Sequence, residues 1–319
     1  MPGTQRGVTL RFLAEPMDAN VRGVMSAGKV LEWIDKAGYA AAVGWAGTYA
    51  VTGYVGNIHF TRPIDVGDLV VVQARVVLTG RTSLQVVCTV SSGDPRSSDR
   101  VLNTQCVLQF VAMEDGRPVP VPAFEPRDDW ERGQHARALE INQARRAIEE
   151  EMGRQEYDTE TQSCRETLRF LAAPTDVNWG GKVHGGYVMN WIDQAAQVVA
   201  ERWHAGPVAS VFAGGVRFYR PMFIGDLVEV DARLLHTGTT SMHVSVHVRS
   251  GDPRTRDLRE TTHCTIVYCG VDELGRKRPV PPWEPTLPGD VALDAHARAM
   301  VEIRQRLLRP VPKELPPDL

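Results

Sequence analysis

Residues 9 to 111 are written twice. TLRFLAEPMDAN, Thr9 to Asn20, returns as TLRFLAAPTDVN, Thr167 to Asn178, and the correspondence runs without a gap until Val111 meets Cys269. A repeat of this length is not a solenoid unit, which spans about 20–50 residues; it suits a whole domain. A chain of 319 residues has room for two such domains, each with its own core. Two copies also offer an internal comparison: what both keep, and where they part, is readable from the chain itself.

Each copy reads in the same order: a short apolar strand, a glycine-rich turn, a long helix, then several strands. In the second copy Val188, Ile192, Ala195 and Val199 recur every three to four residues, which predicts a helix from near Gly186 to about His204. From Leu227 the period falls to two. Val228, Val230, Ala232 and Leu234 alternate with Glu229, Asp231 and Arg233, as on a half-buried strand. Met242, Val244, Val246 and Val248 repeat the pattern against His243, Ser245, His247 and Arg249. SGDPR, at Ser92 to Arg96 and again at Ser250 to Arg254, marks a turn. One long helix facing antiparallel strands defines an α+β domain, and the alternation predicts one covered and one solvated sheet face. After each copy comes a polar helical segment carrying HARA, at His135 to Ala138 and at His296 to Ala299. The proline-rich last ten residues read as disordered. The divisions expected are residues 8–126, a charged helical linker at 127–163, residues 164–285, and a helix with a tail at 286–319.

Composition excludes several classes. The net charge is −3 with both signs interleaved, which argues against a nucleic-acid surface. No apolar run approaches the ~20 residues of a membrane helix. No basic segment followed by an apolar run opens the chain, so no secretory signal is expected. The five cysteines, Cys88, Cys106, Cys164, Cys264 and Cys269, form no CxxC pair and read as reduced thiols of a cytoplasmic protein.

The turn before each helix carries the chemistry. The second copy runs from Asp176 and Asn178 through Gly181 to His184, Gly185 and Gly186, and its helix then presents Trp191, Ile192 and Asp193. The first has Asp18, Asn20 and Gly23, then Ser26, Ala27 and Gly28, followed by Trp33, Ile34 and Asp35. Carboxylates two to three turns inside an apolar helix need a partner or a task. Their recurrence after matching Asn-Gly turns favours a task.

At these residues the chain resembles the double hot-dog acyl-CoA thioesterases. The resemblance rests on D-x-N-x-x-G-x-x-H-G-G (complete at Asp176 to Gly186), W-I-D in both helices, R-P-x-x-x-G-D from Arg62 and from Arg220, and T-G-x-T-S from Thr79 and from Thr237. It implies two tandem hot-dog domains, each a long central helix wrapped by an antiparallel sheet, forming an intramolecular pseudo-dimer. It further implies hydrolysis of fatty acyl-CoA to free acid and CoA, no cofactor beyond the CoA carried by the substrate, and assembly as a homo-oligomer, a trimer of such chains. The site residues it implies are Asn20, Asn178, Asp35 and Asp193, an Asn from one unit meeting an acid from the other.

The spacing agrees. Gly185 and Asp193 lie eight residues apart, about 12 Å along a helix, too far for one carbonyl to meet both. The expected sites are therefore crossed: Asp35 with Asn178, His184, Gly185 and Gly186, and Asp193 with Asn20, Ser26, Ala27 and Gly28. First-turn amides would form the oxyanion hole. Because Ser26 and Ala27 depart from the motif, the site with Asp35 is expected to dominate. Arg62, Arg220 and Arg81, with Arg96 and Arg254, are candidates for the CoA phosphates. His243, His247, His236 and His263 have no acidic or thiol partner at ligand spacing, so no metal is expected. There is no G-x-S-x-G elbow, P-loop or G-x-G-x-x-G. The competing readings are a hot-dog hydroxyacyl-thioester dehydratase or hydratase, which would use His184, and a non-catalytic acyl-CoA-binding module.

Overall fold

The structure is a computed structural model and describes residues 4–20, 22–157, 160–178, 180–255 and 257–307. In chain order come strand β1 (Gly7–Leu13), helix α1 (Ala27–Ala46), strands β2 (Ala50–Val55), β3 (Ile58–His59), β4 (Leu69–Thr79), β5 (Ser83–Gly93), β6 (Val101–Glu114) and β7 (Arg117–Pro118), and helix α2 (Asp129–Gly153). The series then repeats as β8 (Arg165–Leu171), α3 (Gly185–His204), β9 (Val208–Phe218), β10 (Leu227–Thr237), β11 (Ser241–Gly251), β12 (Arg259–Val271), β13 (Lys277–Arg278) and α4 (Pro288–Leu307). By their internal contacts the residues form two units. Among the described residues, the first holds the chain up to Glu140 together with Val177–Asn190; the second holds Ile141–Asp176 and Trp191 to Leu307. The start of α3 therefore belongs to the first unit.

In the first unit the strands run β1-β4-β5-β6-β2, antiparallel throughout, with β7 on β6. Helix α1 lies against all five principal strands. Ser26 caps it, its hydroxyl accepting the Lys29 N–H at 3.1 Å, and Gly47 ends it in the left-handed region. Val30, Leu31, Trp33, Ile34, Ala37 and Ala41 are all buried. That is more than one apolar stripe, as a helix wrapped by a sheet requires.

The second unit repeats the order as β9-β12-β11-β10-β8, with β13 on β12. Val188, Ile192, Ala195 and Val199 are buried along α3, as their spacing predicts. Trp191 packs edge-on against Phe170 of β8, with ring centroids 4.8 Å apart.

The expectation of a solvated outer sheet face is overturned. Glu229, Asp231 and Arg233 of β10 are 6%, 8% and 4% exposed. The cause is α4, which packs on β10. Leu293 and Ala297 join Leu235 in one apolar cluster, and Asp290 pairs with Arg233 at 2.5 Å. The other two acids are matched from β8: Asp231 by Arg165 at 2.7 Å and Glu229 by Arg169 at 2.6 Å. In the first unit, Trp130 and Ala138 of α2 cover Val77 and Val87 in the same way. Each polar helix thus has an apolar underside that closes the sheet. The proline-rich tail falls outside the described residues.

Candidate active site

The two asparagines are turn-formers. The Asn20 side-chain oxygen accepts the Arg22 and Val24 N–H groups at 2.9 and 3.5 Å; that of Asn178 accepts Gly180 and Lys182 at 2.8 and 3.1 Å. Gly23 and Gly181 take the left-handed conformation these turns need, at φ 75° and 72°. Recurrence of Asn-x-x-Gly therefore has a conformational cause. Each carboxamide oxygen is thus engaged by its own turn. The Asn178 carboxamide lies beside Tyr49: burial pushes that phenol's pKa up, and the amide opposes it.

Asp35 is 1% exposed in the middle of α1. Thr52 donates its hydroxyl to one carboxylate oxygen at 2.8 Å. The other oxygen accepts the Gly186 N–H at 2.9 Å and lies 2.8 Å from His184 Nδ1. The structure thus brings Asp35, His184 and Gly186 into direct contact. A methyl added at Gly185 would sit 3.1 Å from the Asp35 carboxylate, and one at Gly186 would sit 2.8 Å from the Glu32 Cα. At the matching position, a methyl on Gly28 would meet the Asn190 Cα at 2.7 Å. Glycine at both places lets α1 and the start of α3 approach backbone to backbone.

His184 responds to this setting. Burial disfavours its charged form, but the hydrogen bond and charge of Asp35 outweigh burial and hold its pKa above the ordinary 6.5. A raised folded-state value contributes stability that is complete below the unfolded value and is lost as pH rises through the folded one. Thermal melts of the wild type and His184→Gln between pH 5 and 9 are therefore expected to differ most at the acid end and to converge above neutrality. A gap that widens with pH would contradict this pairing.

Asp193, 2% exposed, sits in the second unit. Its carboxylate accepts the Tyr268 hydroxyl, which also bonds the Asp193 backbone oxygen at 3.0 Å. Burial, then the aspartate's charge, hold that phenol well above its usual range. The first copy has Phe110 at the position of Tyr268, so the two carboxylates differ in their closest partners. Among the other residues singled out by sequence, Ser26 uses its hydroxyl as the α1 cap, and Ala27 and Gly28 begin that helix. Arg62, Arg81 and Arg220 are exposed. Arg96 and Arg254 are each paired with the aspartate of their own turn, Asp94 and Asp252, at 2.7 Å.

Thr52 and Tyr268 escaped the sequence reading. A hydroxyl recurs at the Thr52 position, as Ser210, and that was the available signal; the Phe110-to-Tyr268 exchange was visible but had no location.

The model of the thioesterase superfamily matches residues 22–98 and again 180–256. The acyl-CoA thioester hydrolase YciA of Salmonella typhimurium is 32% identical over 117 residues, covering 36% of this chain and 88% of that protein. The human cytosolic acyl coenzyme A thioester hydrolase is 23% identical over 289 residues, 84% of this chain and 76% of its own length. The crystal structure of a putative oleoyl thioesterase from Lactobacillus plantarum superposes with a TM-score of 0.58 over 84% of this chain and 98% of that one; at 11% identity it speaks for the fold. The chain belongs to the thioesterase superfamily, with two hot-dog domains in tandem. No helix among the described residues is long and apolar enough to cross a membrane.

Proposed function

We propose that this chain hydrolyses acyl-CoA thioesters to free acid and CoA, with Asp35 as the reacting carboxylate. One observation carries the reading: a buried aspartate is held against the first turn of α3 by the Gly186 N–H and His184. Asp35 draws the proton from a water whose oxygen attacks the carbonyl carbon, or attacks that carbon itself to form a mixed anhydride that water later hydrolyses to the free acid. The carbon–sulfur bond then breaks, and the CoA thiolate leaves and takes up a proton. The Gly185 amide at the start of α3 and the Asn178 NH₂ polarise the thioester oxygen. Gly185 keeps the approach open. The substrate supplies the CoA, so no cofactor takes part. Arg62, Arg81 and Arg220 are the surface cations offered to its phosphates.

Asp193 is the second copy's counterpart of Asp35, and Asn20, Ser26, Ala27 and Gly28 are the first copy's counterparts of Asn178, His184, Gly185 and Gly186. The engagement of Asp193 by Tyr268 and the loss of the histidine make these counterparts the weaker set. The chain would assemble as a trimer of double hot-dog units and work in the cytoplasm, the location supported by its likeness to the human cytosolic enzyme. Thiol release measured over acyl-CoAs of graded chain length tests the activity. Turnover of at least one chain length is expected. Absence of thiol release, with double-bond absorbance appearing from hydroxyacyl-CoA instead, would replace hydrolysis by dehydration.

A further inference from the structure

A second cluster of chemistry-bearing side chains lies on the outer sheet face of the second unit. His247 of β11 and His263 of β12 are cross-strand neighbours, their rings stacked at 4.9 Å and 3°. Glu260 stands between them: its two oxygens are 3.1 Å from His247 Nδ1 and 3.4 Å from His263 Nδ1. Strand alternation alone would send Glu260 and His263 to opposite faces. A bulge at Val248/Arg249 resets it, because Val248 pairs with Thr262 and Arg249 with Glu260. The acidic partner that sequence spacing did not offer is supplied by this irregularity.

We propose that His247, Glu260 and His263 bind a zinc-type divalent cation. Zinc takes imidazole nitrogens and carboxylate oxygens at about 2.0–2.2 Å, so its tetrahedral corners lie about 3.3 Å apart. Each Glu260 oxygen stands near that spacing from one imidazole Nδ1, and one ligand atom from each of the three residues lies within 4.8 Å of the others. Closing each longer edge needs at most about 1.5 Å of side-chain rotation. Both histidines are buried while Glu260 is exposed, which leaves an entry path, and the Tyr219 hydroxyl stands 3.2 Å from His263 Nδ1. Two nitrogens and one carboxylate favour zinc and its neighbours over magnesium or calcium, which prefer oxygen alone.

The first copy makes the contrast. At the same register Gln105 donates to Thr89 at 2.9 Å, a neutral pair that satisfies itself. In the second copy the Nε2 atoms of His247 and His263 are buried without a hydrogen-bond partner. The carboxylate thus meets the Nδ1 edges, and the Nε2 edges are left unpaired within the fold.

The test uses the full chain, stripped with a chelator and titrated with zinc chloride, with cobalt(II) as a spectroscopic probe. One ion per chain is expected, with a rise in melting temperature and a visible cobalt band of tetrahedral intensity. The double swap His247→Thr with His263→Gln installs the pair the first copy carries, and so tests the site in a scaffold that tolerates it. It is expected to lose one ion per chain and the cobalt band while keeping the metal-free melting temperature within a few degrees. Equal zinc stoichiometry in the swap and the wild type would overturn the proposal, as would no binding to the stripped wild type. If the swap fails to fold, Glu260→Gln on the exposed side replaces it; undiminished zinc affinity there would count equally against the site.

Discussion

Asp35→Asn removes most of the turnover, by about 10²–10⁴-fold, the range lost when a positioned proton acceptor is deleted. Asparagine keeps an oxygen for the Thr52 hydroxyl but turns an NH₂ toward the Gly186 N–H, so donor faces donor where the carboxylate accepted. That mismatch costs about 1–3 kcal/mol of stability. The rate is therefore to be normalised to folded protein by a melt at the assay temperature. Asp193→Asn, in contrast, retains most of the turnover, because the Tyr268 hydroxyl occupies its carboxylate and the cognate turn lacks the histidine. Thiol release from the two single variants separates the copies. Loss with Asp193→Asn and none with Asp35→Asn would invert the assignment.

Gly186→Ala carries the second large effect. Its methyl would stand 2.8 Å from the Glu32 Cα, a backbone atom, so no side-chain rotation relieves the clash. The start of α3 and α1 must separate, at a cost of about 1–3 kcal/mol of overpacking strain. The same displacement draws the Gly186 N–H off Asp35. A misplacement of about 1 Å in a reacting geometry lowers rate by about 10²-fold, and both effects are expected together. Gly133→Ala is the matched control: it lies in α2 with nothing within 4 Å of an added methyl, and alanine there adds about 0.5–1 kcal/mol of helix stability. Equal behaviour of the two variants in melts and assays would remove the close approach from the account.

The backbone was legible because periodicity reports burial. The stripe from Val188 to Val199 and the alternation from Val228 to Leu234 lie where an α+β repeat requires them. The outer sheet face was misread for the same reason. Glu229, Asp231 and Arg233 look like solvated residues in sequence, and the partners that permit their burial are remote in the chain: Arg169, Arg165 and Asp290. Within the site, sequence spacing nominated Asp35 and His184, which the fold then sets side by side. It was silent on the Thr52 and Tyr268 hydroxyls, because a hydrogen bond across a strand and a helix has no fixed sequence interval. Glu260 was missed because a bulge breaks the period of two on which the strand reading rests.

The segment Val177–Asn190, inherited with the second copy, belongs by its contacts to the unit built mainly from the first. This allotment has an evolutionary consequence. In an assembly of identical unfused chains, a substitution in the turn would strike every site at once, and selection would see all of its cost. In the fused gene the turn of one copy is free to differ, as Ser26 and Ala27 do, while His184 and Gly185 stay with Asp35. By the same allotment, cutting the gene between its repeats would not release two self-sufficient enzymes, since the front half alone would lack the turn that faces its own aspartate.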